Sequence, residues 1–584
     1  MAKRAPKHFF SKNASVNMPR TRFDMSKTNT TTLTTDYLYP VYCEMVMPGD
    51  SWNISVSNFI RMISPIDVPM MDNLYCDYHF WFVPWRLVWD KTKYFFGERD
   101  RTPNVSEDYT IPQISFDHTV SGAYDSSSNP NGWRDGFHGF KGLPQCGSIY
   151  DYFEIPIKGT DNLLTGDFTV NALPLRSYNL IYDEWYMDEQ RCDYSYYNVG
   201  DTTDTADKYY LKKRGKRFDL FTSSLLEPNG VGNNPVEIPL AISSTIPVSI
   251  YGTGKALGLT TGVTDKAGLA TYSGNELRAF KSSYNQNVGY TASSYTNPSG
   301  WSNGMTVGVT TEAAKSGLTG TANLSTATST TVASLRQAFQ MQAYQEINAR
   351  GGERMVEWIY NQYGVIQPDI LSRPEYLGGS HQRLSVQPIV QNSSTDNTSP
   401  QGNLTGIIYG AHYDNGFVRS FTEFGYIIGI MNIYSDLTYF QGLDRHWSIQ
   451  TVLDVPLPVF ANLTDEAIYK KQLVLTGTST DNQVFGYCER YAPFKYAKNT
   501  LTGLVRPNAP QTIGQWSLAE QFGSVPQNTS DFIEMNTPIS RIEAVNAGDG
   551  SNNPHAFIVN QEFSGNVVRC LPAYSDPMKW FMRV

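Results

Sequence analysis

The sequence predicts a mainly β protein with large loop and helical insertions. Three observations carry this. Many short segments alternate apolar and polar residues with a period of two. The connections between them are rich in Gly, Pro, Asn, Asp and Ser. Few stretches show helical periodicity. The clearest segment is residues 73–90, NLYCDYHFWFVPWRLVWD. Tyr78, Phe80 and Phe82 fall on one side of an extended chain, and Asp77, His79 and Trp81 on the other. Pro84 has no N–H for a sheet ladder, so the strand ends there. A short helix follows over residues 87–96, stopped by Gly97.

The other elements follow in chain order. Residues 1–35 are basic, then rich in Ser and Thr, and lack periodicity, which reads as an arm ordered by partners. Residues 37–47 alternate loosely, Pro48, Gly49 and Asp50 make a turn, and Trp52, Ile54 and Val56 mark a half-buried strand. Residues 100–148 read as loop. The clearest helix is residues 171–190, where Tyr178, Ile181, Tyr182, Trp185 and Tyr186 form one apolar stripe. Asp183, Glu184, Asp188 and Glu189 then fall on its wet side, which is preferred to an acid/base role. From residue 231 to 331 Gly, Ser, Thr, Ala and Asn dominate, as in a surface insertion, with Tyr284, Tyr290, Tyr295 and Trp301 as anchors. Gly252 and Gly254–Lys255 lack the spacing of a phosphate loop. A helix over residues 334–349, N-capped by Ser334 with Phe339 on its inner face, breaks at Gly351 and Gly352 and resumes over 355–363, capped by Gly364. Residues 424–439 read as a buried strand and 555–570 as the last one.

Composition bounds the function. Hydrophobic residues make up 40% and aromatics 13% of the 584-residue chain, enough for a sizeable core, but charged residues only 17%, below the roughly 25% of an average soluble protein. A surface covered by neighbours has this character. Net charge is −9, yet residues 1–27 carry Lys3, Arg4, Lys7, Lys12, Arg20, Arg22 and Lys27 against Asp24 alone, a local +6 that leaves −15 for the rest. The arm therefore suits phosphate contact by Lys3, Arg4, Lys7, Lys12, Arg20 and Arg22. Lys212, Lys213, Arg214, Lys216 and Arg217 form a second basic cluster, either a phosphate site or a solvated turn. No apolar run approaches a membrane span, and the basic N-terminus has no apolar core of a secretory signal. Cys43, Cys76, Cys146, Cys192, Cys488 and Cys570 are scattered without a CxxC pair and read as free thiols. Asp444, Arg445 and His446 are adjacent on the chain and do not converge as a catalytic set, so a structural ion pair is expected.

Several segments carry a family resemblance. PVYCEMVMPGD (40–50), PMMDNLY (69–75), the 73–90 run, the ALP-x-R-x-YN-x-IY-x-EW pattern at 172–185, FDLFTSSLLEPNG (218–230) after the basic cluster, LRQAF through NLTG (335–406), DLTY–QGLDR–W (436–447) and the 555–570 strand resemble the major capsid protein of gokushoviruses, small single-stranded DNA phages of the Microviridae. The resemblance runs from about residue 18 to about 575, departing only in the long insertion.

It implies a single eight-stranded antiparallel jelly roll of the viral capsid type. The expected divisions are a basic arm (1–35), a first part of the jelly roll with a helical insertion (36–230), a surface insertion (231–333) and the remainder (334–584). It also implies sixty copies in a T=1 icosahedral shell around circular single-stranded DNA, assembled in the host bacterial cytoplasm. The partners it implies are a scaffold protein, a small basic DNA-binding protein and a host receptor met by the insertion. The expected DNA contacts are the six arm cations with Lys212, Lys213 and Arg214. No catalytic, metal or cofactor residues are expected. A secreted jelly-roll protein that binds or cleaves carbohydrate is the alternative, with Asp183 and Glu184, or Asp414 and Asp436, as the acid pair. A phage tail or fibre predicts sequence repeats, and none is found.

Overall fold

A computed structural model describes residues 20–98, 109–119, 142–158, 163–228, 332–352, 354–392, 401–463, 465–544 and 555–573, with four short strands inside 248–322. Lys3, Arg4, Lys7, Lys12, Tyr284, Tyr290, Tyr295 and Trp301 lie outside the described residues. The chain divides into two compact units, Met1–Gly232 with Gln345–Val584, and Asn233–Tyr344. In the second unit Val248–Gly252 pairs antiparallel with Leu318–Ala322, and Leu259–Thr261 with Met305–Val307.

The first unit is mainly β with few helices. Eight strands dominate it: β1 (Lys27–Leu33), β2 (Tyr39–Val46), β3 (Ser51–Met62), β4 (Leu74–Pro84), β5 (Glu375–Arg383), β6 (Leu404–Ser420), β7 (Gly425–Ser435) and β8 (Phe557–Arg569). One sheet runs β1–β8–β3–β6 and the other β5–β4–β7–β2, with every pairing antiparallel. Thr21–Asp24 adds to the first sheet beside β8, and Ser385–Val390 beside β6. Successive strands alternate between the sheets, except that β4 and β5 share one.

The sheets pack face to face because alternate residues of each strand are apolar. On β3, Trp52, Ile54, Val56, Ile60 and Met62 are buried, while Asn53, Phe59 and Arg61 face out. On β8, Phe557, Val559, Phe563 and Val567 point inward with Gln561, whose amide reaches Met431 of β7. Aromatic rings join the two layers: Tyr42 and Phe563 centroids lie 4.8 Å apart, and Phe80 and Phe417 5.1 Å. Each such ring contributes about 1.5–3 kcal/mol by leaving water.

The central strands of the second sheet are buried on the other face too: all of β7 and most of β4. Helix α1 (Leu173–Trp185) covers part of that face, entered through a proline in its first turn. Trp185 packs on Trp81 at 4.7 Å, and the Tyr186 hydroxyl meets both His79 Nδ1 (2.7 Å) and Trp81 Nε1 (3.2 Å). The helix is buried almost all round, Arg176 included. The Arg176 guanidinium grips Asp204 at 2.7 and 3.0 Å and donates to the Gly200 carbonyl at 2.9 Å. The expected wet face is therefore corrected. Asp183 is buried and accepts from the Ser195 N–H at 3.0 Å. Glu184 and Glu189 flank Arg354 at 3.8 and 3.7 Å, and Asp188 pairs with Arg191 at 2.6 Å. Helix-like spacing of charges missed the chain that packs over them.

Three further expectations are corrected. Residues 21–33, read as part of an aperiodic arm, form Thr21–Asp24 and β1, both paired with β8 of the same chain. The single helix over 87–96 is two short turns, Trp85–Val88 and Thr92–Phe95, with Gly97 at φ +93° after them. Helix α2 (Val332–Gly351) begins two residues before Ser334 and leaves Phe339 62% exposed, not on an inner face. Helix α3 (Met355–Tyr363) ends at a left-handed Gly364, as read. A smaller core gathers Phe221 from the β4–β5 connection with Tyr439, Ile468, Phe485 and Phe532 from the β7–β8 connection.

Glycine is needed where two strand bulges meet. Gly378 lies in the irregular register of β5 and Gly416 in that of β6. A Cβ on Gly378 would stand 2.9 Å from the Gly416 carbonyl oxygen, and one on Gly416, at φ +57°, 2.3 Å from that of Ile54. Gly416→Ala is expected to destabilise the chain by about 1–3 kcal/mol, seen as a lower thermal midpoint. An unchanged midpoint would mean that the bulge relaxes freely.

Candidate functional site

The basic cluster threads between two other segments rather than standing in solvent. Leu38 N–H donates to the Lys212 carbonyl and Arg214 N–H to that of Asp36, while Met535 N–H donates to Arg214 and Lys216 N–H to Ile533. That backbone pairing presses the side chains onto the outer face of the second sheet. Lys212 is buried, its ammonium 3.6 Å from the Tyr210 ring centre. Lys213 pairs with Glu534 at 3.7 Å and Lys216 with Glu520 at 2.6 Å. Arg214 meets Asp77 at 2.5 Å and Asn432 at 3.3 Å, and Arg217 stacks on Tyr434 at 4.6 Å. The cluster is thus neither the solvated turn nor a set of free cations.

Asp77 is the hub. It is 4% exposed on β4 and also accepts from His381 Nδ1 at 2.6 Å. Burial pushes its carboxyl up, but the Arg214 charge and the hydrogen bonds from His381 and Arg214 outweigh this and hold it below the usual carboxylate range. Nearby His79 is pushed down to about 4, chiefly by burial. Asp36 goes the other way. Burial raises it to about 6, against the lowering effect of hydrogen bonds at 2.6 Å from the Thr537 N–H and hydroxyl.

Arg20 and Arg22 are exposed at the edge of the first sheet. Arg20 donates to the Gly49 carbonyl (2.5 Å) and Ser51 Oγ (2.8 Å), and Arg22 to Asn566 Oδ1 (3.0 Å). The carboxylates considered for catalysis do not pair. Asp183 is buried beside Ser195 and Glu184 faces Arg354. Asp414 lies on β6 of one sheet, and Asp436 follows β7 of the other, taking a hydrogen bond from Asn73 at 2.9 Å. Asp444 and Arg445 pair outward, with Lys498 and Glu466, each at 2.6 Å. Among the described residues one group has metal-ligand chemistry, the exposed Asp117, His118 and Asp167, where His118 Nδ1 is engaged by Asp167 at 2.6 Å. All six cysteines are free. Among the described residues no helix is long and apolar enough to cross a membrane.

The ionic lattice was missed in the sequence because its partners lie far apart along the chain. Arg214 and Asp77 are separated by 137 positions, and His381 and Asp77 by 304. The alternation that placed Asp77 opposite Tyr78 was the one available signal, since it put a charge on a strand otherwise full of aromatics.

Arg214→Ala is expected to cost about 3 kcal/mol, because it leaves the buried Asp77 charge without its main partner. A chemical-denaturation midpoint equal to wild type would show that His381 suffices. Asp36→Asn tests the raised carboxyl. The folded state holds the Asp36 proton more tightly than the unfolded chain, so this contribution is present at low pH and lost as pH rises through about 6. The stability difference between wild type and Asp36→Asn should therefore shift in favour of wild type as pH falls from about 6 to about 4. A difference independent of pH over that window would refute it.

The profile of the capsid protein (F protein) family matches residues 11–131 and 141–579. The capsid protein VP1 of Bdellovibrio phage phiMH2K is 34% identical over 558 residues, covering 94% of both chains. Capsid protein VP1 of Chlamydia phage 1 is 31% identical over 624 residues, covering 98% of this chain and 97% of the relative, and that of Spiroplasma virus 4 is 27% identical over 600 residues, with the same coverage. A structural role in a homo-oligomeric phage shell, and not an enzymatic one, follows from a match of this extent. The chain belongs to the phage capsid protein (F protein) family, in its gokushovirus branch.

Proposed function

We propose that the chain is the major capsid protein of its virion. The eight strands form one jelly roll, and sixty copies close a T=1 shell around circular single-stranded DNA. The observation that carries the jelly roll is the strand order, β1–β8–β3–β6 against β5–β4–β7–β2, with successive strands alternating between sheets around the single β4–β5 exception. Family membership supports the shell, and closed symmetry removes sheet edges that would otherwise pair at random.

DNA contact falls to the arm. Lys3, Arg4, Lys7 and Lys12 supply its charge together with Arg20 and Arg22, which start at an exposed sheet edge. Lys212, Lys213 and Arg214 are already held by Tyr210, Glu534 and Asp77, and we assign them to the fold. The 231–333 insertion, with Tyr284, Tyr290, Tyr295 and Trp301, is the part assigned to a host receptor. A scaffold and a small basic DNA-binding protein assist assembly in the host bacterial cytoplasm.

The test is expression of the chain alone and with the phage's other structural genes, followed by light scattering and negative-stain microscopy. Closed shells of one diameter are expected, and a clean monomer under both conditions would overturn the reading. Replacing Lys3, Arg4, Lys7 and Lys12 by Gln should leave shells intact but lower their DNA content, with a weaker salt dependence of DNA retention. Unchanged DNA content would remove the arm from the genome interface.

A further inference from the structure

Residues 446–463 (HWSIQTVLDVPLPVFANL) contain one charged side chain, Asp454. They form compact turns, with short 3-10 helices at Arg445–Ser448, Val452–Asp454 and Pro458–Phe460. Asp454 is half-exposed and bound to its own turn. Its carboxylate accepts from Gln450 N–H (3.1 Å), Thr451 N–H (2.8 Å) and the Thr451 hydroxyl (2.9 Å), and these bonds hold its pKa below the usual range. The apolar side chains around it stand in solvent. Trp447 is 71% exposed, Val452 75%, Leu453 67%, Val459 87% and Leu463 54%. Scattered single apolar residues on a surface need no explanation, but a run of this kind on one segment marks an interaction face.

The segment is held firmly from behind. Arg445 pairs with Glu466 at 2.6 Å and lies over the Tyr469 ring at 5.1 Å. Leu457 N–H donates to the Tyr491 hydroxyl at 3.2 Å, and Asp444 is tied to Lys498 at 2.6 Å. A surface already ordered loses little conformational entropy on docking.

We propose that the 446–463 ridge is a contact surface for a second copy of this chain in the shell. The inference rests on the capsid reading above and locates one of its interfaces. Two observations choose the occupant. A chain of this family associates with its own copies, so its apolar surface has a partner of its own kind. Each copy also carries a net charge of −9, so identical chains repel wherever their acidic surfaces meet. A ridge with one carboxylate in eighteen residues, already hydrogen-bonded to its own turn, is where two such chains approach at low electrostatic cost.

Hydroxyl-radical footprinting read by mass spectrometry tests this on wild-type chains, free and in assembled shells. Oxidation of Trp447, Val452 and Leu453 is expected to fall roughly fivefold or more in shells, as for residues moved into an interface core. Equal oxidation in both states would overturn the proposal while leaving the shell reading intact. A wild-type chain that never assembles would overturn the shell reading and this inference with it. The double variant Val452→Asp/Val459→Asp provides a second measurement. It is expected to keep the wild-type circular dichroism and melting temperature and to sediment as small species, with shell yield down about tenfold or more. Shells at wild-type yield would overturn the proposal, and a variant that misfolds leaves the decision to the wild-type footprint.

Discussion

The two central strands of the second sheet, β4 and β7, have almost no wet face, and most of the architecture answers to that constraint. β4 and β7 are apolar or aromatic on both sides. A sheet of this kind is stable only when covered twice. The first sheet supplies one cover through Tyr42, Phe563, Phe80 and Phe417. The other cover comes from chain inserted between β4 and β5, namely α1 and residues 212–217. Thus the one place where consecutive strands stay in the same sheet is also where the long insertion leaves it. These two parts of the insertion complete the cover of the core.

Charge enters that covered face mostly as pairs, with Lys212 held instead over the Tyr210 ring. Asp77 would be costly alone on a strand between aromatic neighbours. It is tolerable because Arg214, His381 and Asn432, the last through Arg214, close a network around it. Arg176 and Asp204 repeat the solution under α1, where Tyr209 and Asn198 fill the remaining acceptor sites of the carboxylate. Such networks specify one arrangement of the covering segments, since a slipped register would strand a buried charge. Four of the five cations in residues 212–217 meet a carboxylate of Asp77, Glu520 or Glu534 in this way.

The strands were legible because period-two alternation survives wherever one side meets the core, as on β3, and because aromatic density marks β4 even where both sides are buried. The helix at α1 was legible from its apolar stripe, but its charged side was misjudged. Amphipathicity distinguishes apolar from polar faces, and a polar face can also be buried when the chain returns with partners for it, as Arg354 does for Glu184 and Glu189. The basic cluster shows the same limit. Local sequence displays the cations of residues 212–217, while their anions come from β4, from Glu520 and from Glu534, positions that only the fold brings near. Family likeness, by contrast, was legible across almost the whole chain because it lies in ordered segments and not in any single side chain.

Folding and assembly draw on different residues. Both hydrophobic cores are completed within the chain, and the side chains of the 446–463 ridge contribute to neither. A subunit built this way reaches its final form first and presents a ready surface afterwards. Each contact can then remain weak, because repetition around a closed shell multiplies it. Weak individual contacts also let a misplaced copy leave before the shell closes, which a single strong interface would prevent. The low proportion of charged residues fits this division: charge is spent inside the subunit in closed networks, and the ridge where copies are proposed to meet is kept nearly free of it.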